Sequence, residues 1–200
     1  MAPRLEANAP APKNAIVFGW RDDGEKVNIG GQLVRRFPEK GYVAIARVTS
    51  KAIFCGEKMQ ALSRGESRKP KSVLAWLDTH CAPPDIVFIA LPPMGRGEAS
   101  CAYALHYLKL GIPVVFADKR GLAFNASKLA PHYDLIGMNA AVGGNSRIIA
   151  NALARSVDRE SVLLEMVING TMNFVLTNMQ EEGETVANAM WIAGKLGYAE

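Results

Sequence analysis

The sequence predicts an α/β fold built on a parallel sheet, and three observations predict it. Short, mainly apolar runs recur at residues 15–19, 42–48, 85–91 and 113–117. Amphipathic stretches of helical period lie between them, notably at 72–80 and 98–110. Gly and Pro punctuate the junctions, as at Gly111 and at Pro92-Pro93. Uninterrupted apolar runs suit strands covered on both faces. Strand and helix in alternation, joined by short connections, require parallel strands and right-handed crossovers.

The elements follow in order. Residues 1–14 are rich in Ala and Pro and are expected to form a disordered tail. They lack the apolar core of a secretory signal, so the cytoplasm is the expected compartment. The run at 15–19 is a buried strand ending in Gly19. A dinucleotide-binding turn would continue with closely spaced glycines and a helix. Here residues 20–28 intervene, carrying Asp22, Asp23 and Glu25, before Gly30, Gly31 and a helix over 32–37. Gly19 is read as the strand-end glycine, and Gly30 or Gly31 as the one that lets helix and strand pack closely. Two readings of this turn stay open: a working dinucleotide site, and an α/β unit with a decorated loop. The second strand, 42–48, ends in Arg47, Thr49, Ser50 and Lys51, where an NAD site usually offers Asp or Glu to the ribose. A cationic, hydroxyl-rich end suits a 2′-phosphate and favours NADP over NAD. A solvated basic loop is the alternative.

A helix over 72–80 is stopped by Pro83-Pro84. The strand at 85–91 delivers Leu91 to the mouth where open α/β sheets bind ligands. A helix over 98–110 leads to the strand at 113–117, which brings Asp118 and Lys119 to the same mouth. A short helix over 127–132 and a strand over 134–139 complete a first domain, 15–139. A second domain, 140–200, opens on the turn 140–146. It continues with a helix over 148–156, a strand over 162–168, the polar turn Asn169-Gly170-Thr171, and two helices. In the last, over 185–196, Met190 and Trp191 are expected in the core. Helix-head amides and the Thr171 hydroxyl form a small polar receptor for an anion or carbonyl, or simply cap the helix.

Composition narrows the function. At 200 residues, 49% hydrophobic and 21% charged, the chain reads as a globular protein. No apolar run is long enough to span a membrane. Cys55, Cys81 and Cys101 have no metal-ligand spacing and read as isolated thiols in a reducing compartment. The net charge is +4, with basic residues concentrated from Lys51 to Lys71. Without interleaved aromatics or a nucleic-acid motif, that stretch reads as a solvated loop or a pocket for an anionic cofactor, and nucleic acid ranks last.

Four blocks then stand in order. They are Ala117-Asp118-Lys119-Arg120-Gly121-Leu122-Ala123, Ala140-Ala141-Val142-Gly143-Gly144, Asn169-Gly170-Thr171-Met172-Asn173-Phe174, and Leu196-Gly197-Tyr198-Ala199-Glu200. From about Asp85 onward the chain resembles the homoserine dehydrogenases. The resemblance implies a Rossmann-like domain followed by an incomplete α/β substrate and dimerisation domain, arranged as a homodimer. It implies an oxidoreductase that uses NADP or NAD to interconvert aspartate semialdehyde and homoserine. It places Lys119 beside nicotinamide and substrate carbonyl, where an amine polarises the aldehyde oxygen or serves as acid and base. Gly170, Thr171, Tyr198 and Glu200 would surround the amino-acid substrate, Glu200 meeting its ammonium. Gly19, Gly30, Gly31, Arg47, Lys51, Leu91 and Lys119 would line the cofactor. Carbonyls of Val142, Gly144 and Ser146 would face a monovalent cation. The chain departs from the family pattern at Asp118, Asn139 and Arg147. It also stops before an acidic residue and a second lysine that hold substrate, so weak turnover at most is expected of this chain alone. A non-catalytic relative that binds a nucleotide or partner protein is the competing expectation.

Overall fold

Five parallel strands and an antiparallel hairpin make up one sheet. The computed structural model describes residues 11–21, 24, 27–142 and 170–198, with backbone alone at Arg68. The strands are β1 (Lys13–Phe18), β2 (Tyr42–Val48), β3 (Ala52–Cys55), β4 (Lys58–Ala61), β5 (Ile86–Ile89), β6 (Val114–Phe116) and β7 (Ile136–Gly137). Their spatial order is β4-β3-β2-β1-β5-β6-β7. β2, β1, β5, β6 and β7 run parallel, whereas β3 and β4 pair antiparallel. The chain moves outward from β1 to β2, then returns across β1 to β5. That reversal puts the topological switch point between β1 and β5, where such sheets bind ligands beyond the strand ends.

Side-chain alternation along β1 explains why helices cover both faces. Ile16 and Phe18 point to one face, with Val73, Leu74 and Leu77 of α2 (Pro70–His80) and Tyr103, Tyr107 and Leu108 of α3 (Glu98–Leu108). Ala15 and Val17 point to the other, with Phe37 and the partly buried Leu33 and Val34 of α1 (Ile29–Arg36). Full burial of a side chain the size of Ile16 or Leu77 stabilises by roughly 1.5–3 kcal/mol. α4 (Lys119–Leu129) adds Leu129 to the larger cluster.

Several expectations need correction. The stretch after Lys51 is not a loop: it forms the β3–β4 hairpin, nucleated by the Thr49 hydroxyl, which accepts from Lys51 N and Ala52 N. The expected short helix at 127–132 starts instead at Lys119, because Asp118 caps it, and passes into a 3-10 turn over Ala130–Leu135. β1 begins at Lys13, inside the expected tail, through the hydrogen bond from Lys13 N to Gly41 O. Cys55 and Cys81 are not isolated thiols but form a disulfide, since the hairpin brings Cys55 beside the end of α2.

By internal contacts the chain divides into two units, Met1–Val142 and Gly143–Glu200. In the second, α5 (Gly170–Glu181) and α6 (Val186–Lys195) pack around Val175, Ala189 and Ala193, with Phe174 and Met179 at the edge. Small residues of α6 form the contact. Met190 and Trp191, expected in the core, are 56% and 62% exposed because the seam runs along Ala189 and Ala193. The expected strand at 162–168 and helix at 148–156 lie outside the described residues.

Candidate functional site

Three strand ends lie level at the switch point. Phe18 pairs with Ile89, and Ile89 with Phe116. The ladder extends one step further, with Ala90 N donating to Phe18 O and Ala117 N to Ile89 O. Gly19, Leu91 and Lys119 therefore emerge from neighbouring strands at one edge of the sheet. Lys119 is the first residue of α4 and is exposed, and Leu91 is half-buried.

Backbone packs against backbone at this edge. Gly19 has φ +88°, and a Cβ there would lie 2.3 Å from Ala90 O. A Cβ at Gly30 would lie 2.6 Å from Gly19 O, and one at Gly31 2.3 Å from Arg21 O. Gly30 and Gly31 thus let α1 seat directly on the end of β1, which is the use a dinucleotide fold makes of glycine. The sequence reading missed Asn28. Its Oδ1 accepts from Gly31 N and Arg21 N, both at 2.9 Å, while its Nδ2 donates to Gly19 O at 2.6 Å. One side chain caps the helix and ties its head to the strand end. An Asn directly before a helix start is a recognisable N-cap signal, obscured here by placing the helix start at residue 32.

At the end of β2, the Arg47 guanidinium stands 4.8 Å from the Trp20 ring and 5.7 Å from the Phe54 ring, and the two rings meet edge to face. Arg47 and Phe54 are direct cross-strand partners. Stacking of this kind orients a guanidinium while leaving its edge donors available for a planar or tetrahedral anion. Lys51 sits exposed in the turn that follows.

On the opposite side of the mouth, Asp118 is buried. Its carboxylate accepts from Ser100 Oγ at 2.5 Å, from Arg120 N at 3.0 Å and from Gly121 N at 3.3 Å. That carboxylate is spent on the head of α4, which fixes where Lys119 leaves the sheet. Gly97 and Gly121 bring the heads of α3 and α4 together, a Cβ on Gly97 meeting Gly121 N at 2.4 Å. Arg120 Nη1 and Asn125 Nδ2 then donate to Gly95 O and Arg96 O, holding the loop after β5.

Within the second unit, the Thr171 hydroxyl donates to the Tyr198 carbonyl, and the Phe174 and Tyr198 rings lie 4.9 Å apart. The receptor read from Asn169-Gly170-Thr171 meets a carbonyl of the chain itself, so two distant sequence blocks adjoin. Gly170 is exposed at the head of α5. Val142 is 39% exposed. Gly144, Ser146 and Glu200 lie outside the described residues, and no group of three or more His, Cys, Asp or Glu among the described residues is placed to hold a metal ion.

The family model for homoserine dehydrogenase matches residues 131–200. The homoserine dehydrogenase of Lactococcus lactis is 33% identical over 158 residues, covering 76% of this chain and 36% of that protein. That of Mycobacterium tuberculosis is 30% identical over 179 residues, covering 86% and 40%. The chain belongs to the homoserine dehydrogenase family. It spans well under half the length of these curated relatives. Among solved homoserine dehydrogenases, a hyperthermophilic archaeal one in complex with NADPH aligns over 94% of this chain and 62% of its own, with TM-score 0.62 and 20% identity. That from Thermoplasma acidophilum aligns over the same shares, with TM-score 0.57 and 17% identity. The structural likeness is one of fold, and it extends to the Rossmann-like sheet whose edge carries Gly19, Leu91 and Lys119.

Proposed function

We propose that this protein acts in the NADP-dependent interconversion of aspartate semialdehyde and homoserine, as a homodimer. One observation carries the proposal: Gly19, Leu91 and Lys119 converge at the switch-point edge, with Arg47 oriented by Trp20 and Phe54 on the neighbouring strand. The fit to a dinucleotide is good, because the approach of Gly30 and Gly31 to the strand end leaves backbone in place of side chains. Gly19, Gly30 and Gly31 would border the pyrophosphate, Arg47 and Lys51 the 2′-phosphate, and Leu91 and Lys119 the nicotinamide side. The bound nicotinamide supplies or accepts the hydride. Lys119 polarises the carbonyl oxygen and stabilises the alkoxide charge that develops there. Gly170, Thr171, Tyr198 and Glu200 would bind the amino-acid end of the substrate. Carbonyls of Val142, Gly144 and Ser146 would take a monovalent cation.

Purified protein is to be titrated with NADPH and NADH by fluorescence, then assayed for NADPH oxidation with aspartate semialdehyde. Tighter binding of NADPH together with turnover is expected. Arg47→Gln should weaken NADPH about 10–100-fold, as for loss of a charge-assisted hydrogen bond, and leave NADH unchanged. Lys119→Met should lower turnover by about 100-fold or more while NADPH still binds. The competing reading is a nucleotide-binding protein without turnover. NADPH binding with no oxidation under any substrate concentration would select it.

A further inference from the structure

Two cysteines pair behind the Arg47 site. Cys55 ends β3, Cys81 follows α2, and the disulfide between them joins Cα atoms 5.9 Å apart across 26 residues of sequence. Both are half-buried, within reach of a small reagent. Cys101, by contrast, is buried, and desolvation pushes its thiol pKa up. It stays out of thiol chemistry at neutral pH.

We propose that Cys55 and Cys81 form a reversible dithiol–disulfide couple whose closure fastens the β3–β4 hairpin to α2 and thereby sets the wall behind Arg47. The second part rests on the reading of Arg47 as a cofactor contact, and the first part does not.

The open form has a home in this fold. The hairpin is held independently of the bond by the pairs Ala46↔Cys55, Arg47↔Phe54 and Val48↔Ile53, and Ile53 is fully buried. The end of α2 is held by Cys81 N donating to Leu77 O. The Cys55 sulfur lies 3.4 Å from His80 O, so the reduced thiol has an acceptor in place. Opening the bond removes a cross-link and leaves the sheet paired.

Coupling to the site follows from strand alternation. Cys55 faces the α2 side, packed on the larger core cluster. Phe54, one residue earlier, faces the other side, where its ring lies against Arg47 and Trp20. A bond that restrains one face of β3 restrains the ring on the opposite face.

A low-molecular-weight disulfide such as oxidised glutathione suffices as oxidant. One protein thiolate attacks it, forming a mixed disulfide and releasing one thiolate of the reagent. The second protein thiolate attacks the protein sulfur of that mixed disulfide, releasing the other and closing the Cys55–Cys81 bond. Two electrons pass from the protein thiols to the reagent, which leaves as two thiols carrying the two protons.

The test equilibrates the full chain in graded ratios of reduced to oxidised glutathione, quenches with maleimide, and weighs the intact protein. A single transition from two labels to none is expected, with Cys101 labelled only after denaturation. Cys55→Ser and Cys81→Ser should each abolish it. A pair that stays bridged at every ratio, or never bridges, would overturn the couple. Hydrogen exchange across residues 52–61 should be at least about tenfold faster in the reduced protein, and in the double serine variant. Equal exchange would overturn the fastening. NADPH should bind at least about threefold more tightly to one redox form than to the other, with a smaller change for NADH. Equal affinities would sink the coupling alone. Failure of both forms to bind NADPH would sink the reading of Arg47 together with the coupling, while labelling and exchange still decide the couple.

Discussion

At the residue scale, the mouth of the sheet depends on groups that leave no slack. Gly19→Ala puts a methyl 2.3 Å from Ala90 O at a positive φ, and should cost at least roughly 1–3 kcal/mol in urea denaturation. Asn28 has two separable roles. Asn28→Ala loses the helix cap, worth about 1 kcal/mol, and also the donor to Gly19 O. Asn28→Asp keeps the cap and loses only the donor. If the amide donor matters to the strand end, the Asp variant should fall between wild type and the Ala variant in stability. An Asp variant as stable as wild type would assign Asn28 to capping alone. Tyr107 is a different case: its hydroxyl is buried and has no hydrogen-bond partner among the described residues. Tyr107→Phe removes an unsatisfied group and should be neutral or stabilising at pH 7.

At the element scale, α3 carries a pH limit. Burial raises the pKa of Tyr103 and of Tyr107, and the charges of Asp78 and Tyr103 add to the effect at Tyr107. A folded-state pKa above the unfolded value of 10.0 means the stabilisation is complete below pH 10 and is lost as the pH rises past it. Denaturation midpoints should fall steeply above pH 10, and less steeply for Tyr107→Phe. The hairpin offers a second test. Opening the Cys55–Cys81 cross-link releases a loop of 26 residues, so the double serine variant should lose about 3 kcal/mol relative to the oxidised protein. A loss below 1 kcal/mol would mean the unfolded chain is scarcely constrained by the bond.

At the scale of the whole molecule, a nucleotide bound to the folded sheet alone raises stability by mass action. NADPH at a hundred times its Kd should add about 2.7 kcal/mol, read as a rise in Tm of a few degrees. NADH at the same concentration should give less. Equal shifts for the two would argue against a 2′-phosphate contact from Arg47 and Lys51. The second unit contributes its own organisation, since the Thr171 hydroxyl and the Tyr198 carbonyl hold the two ends of the α5–α6 pair together.

The parallel core was legible because a doubly covered strand must be apolar throughout: the runs around Ile16, Ala46, Val87 and Val115 admit little else. Gly19 was legible as a strand-end glycine, and Gly30 or Gly31 as a close-packing one, since their value lies in having no side chain. The β3–β4 hairpin was hidden, because Lys58, Met59 and Ala61 on an exposed edge strand show no buried alternation. The cysteine pair was hidden with it, because proximity across 26 residues is a property of the sheet and not of spacing. Likewise no local pattern tells that Asn28 reaches back to Gly19, or that Trp20 and Phe54 close on Arg47. Local sequence thus determined which segments are strands and helices, through periodicity and backbone freedom. Tertiary structure decided which side chains meet at the sheet edge, because those contacts join residues that only strand order brings together.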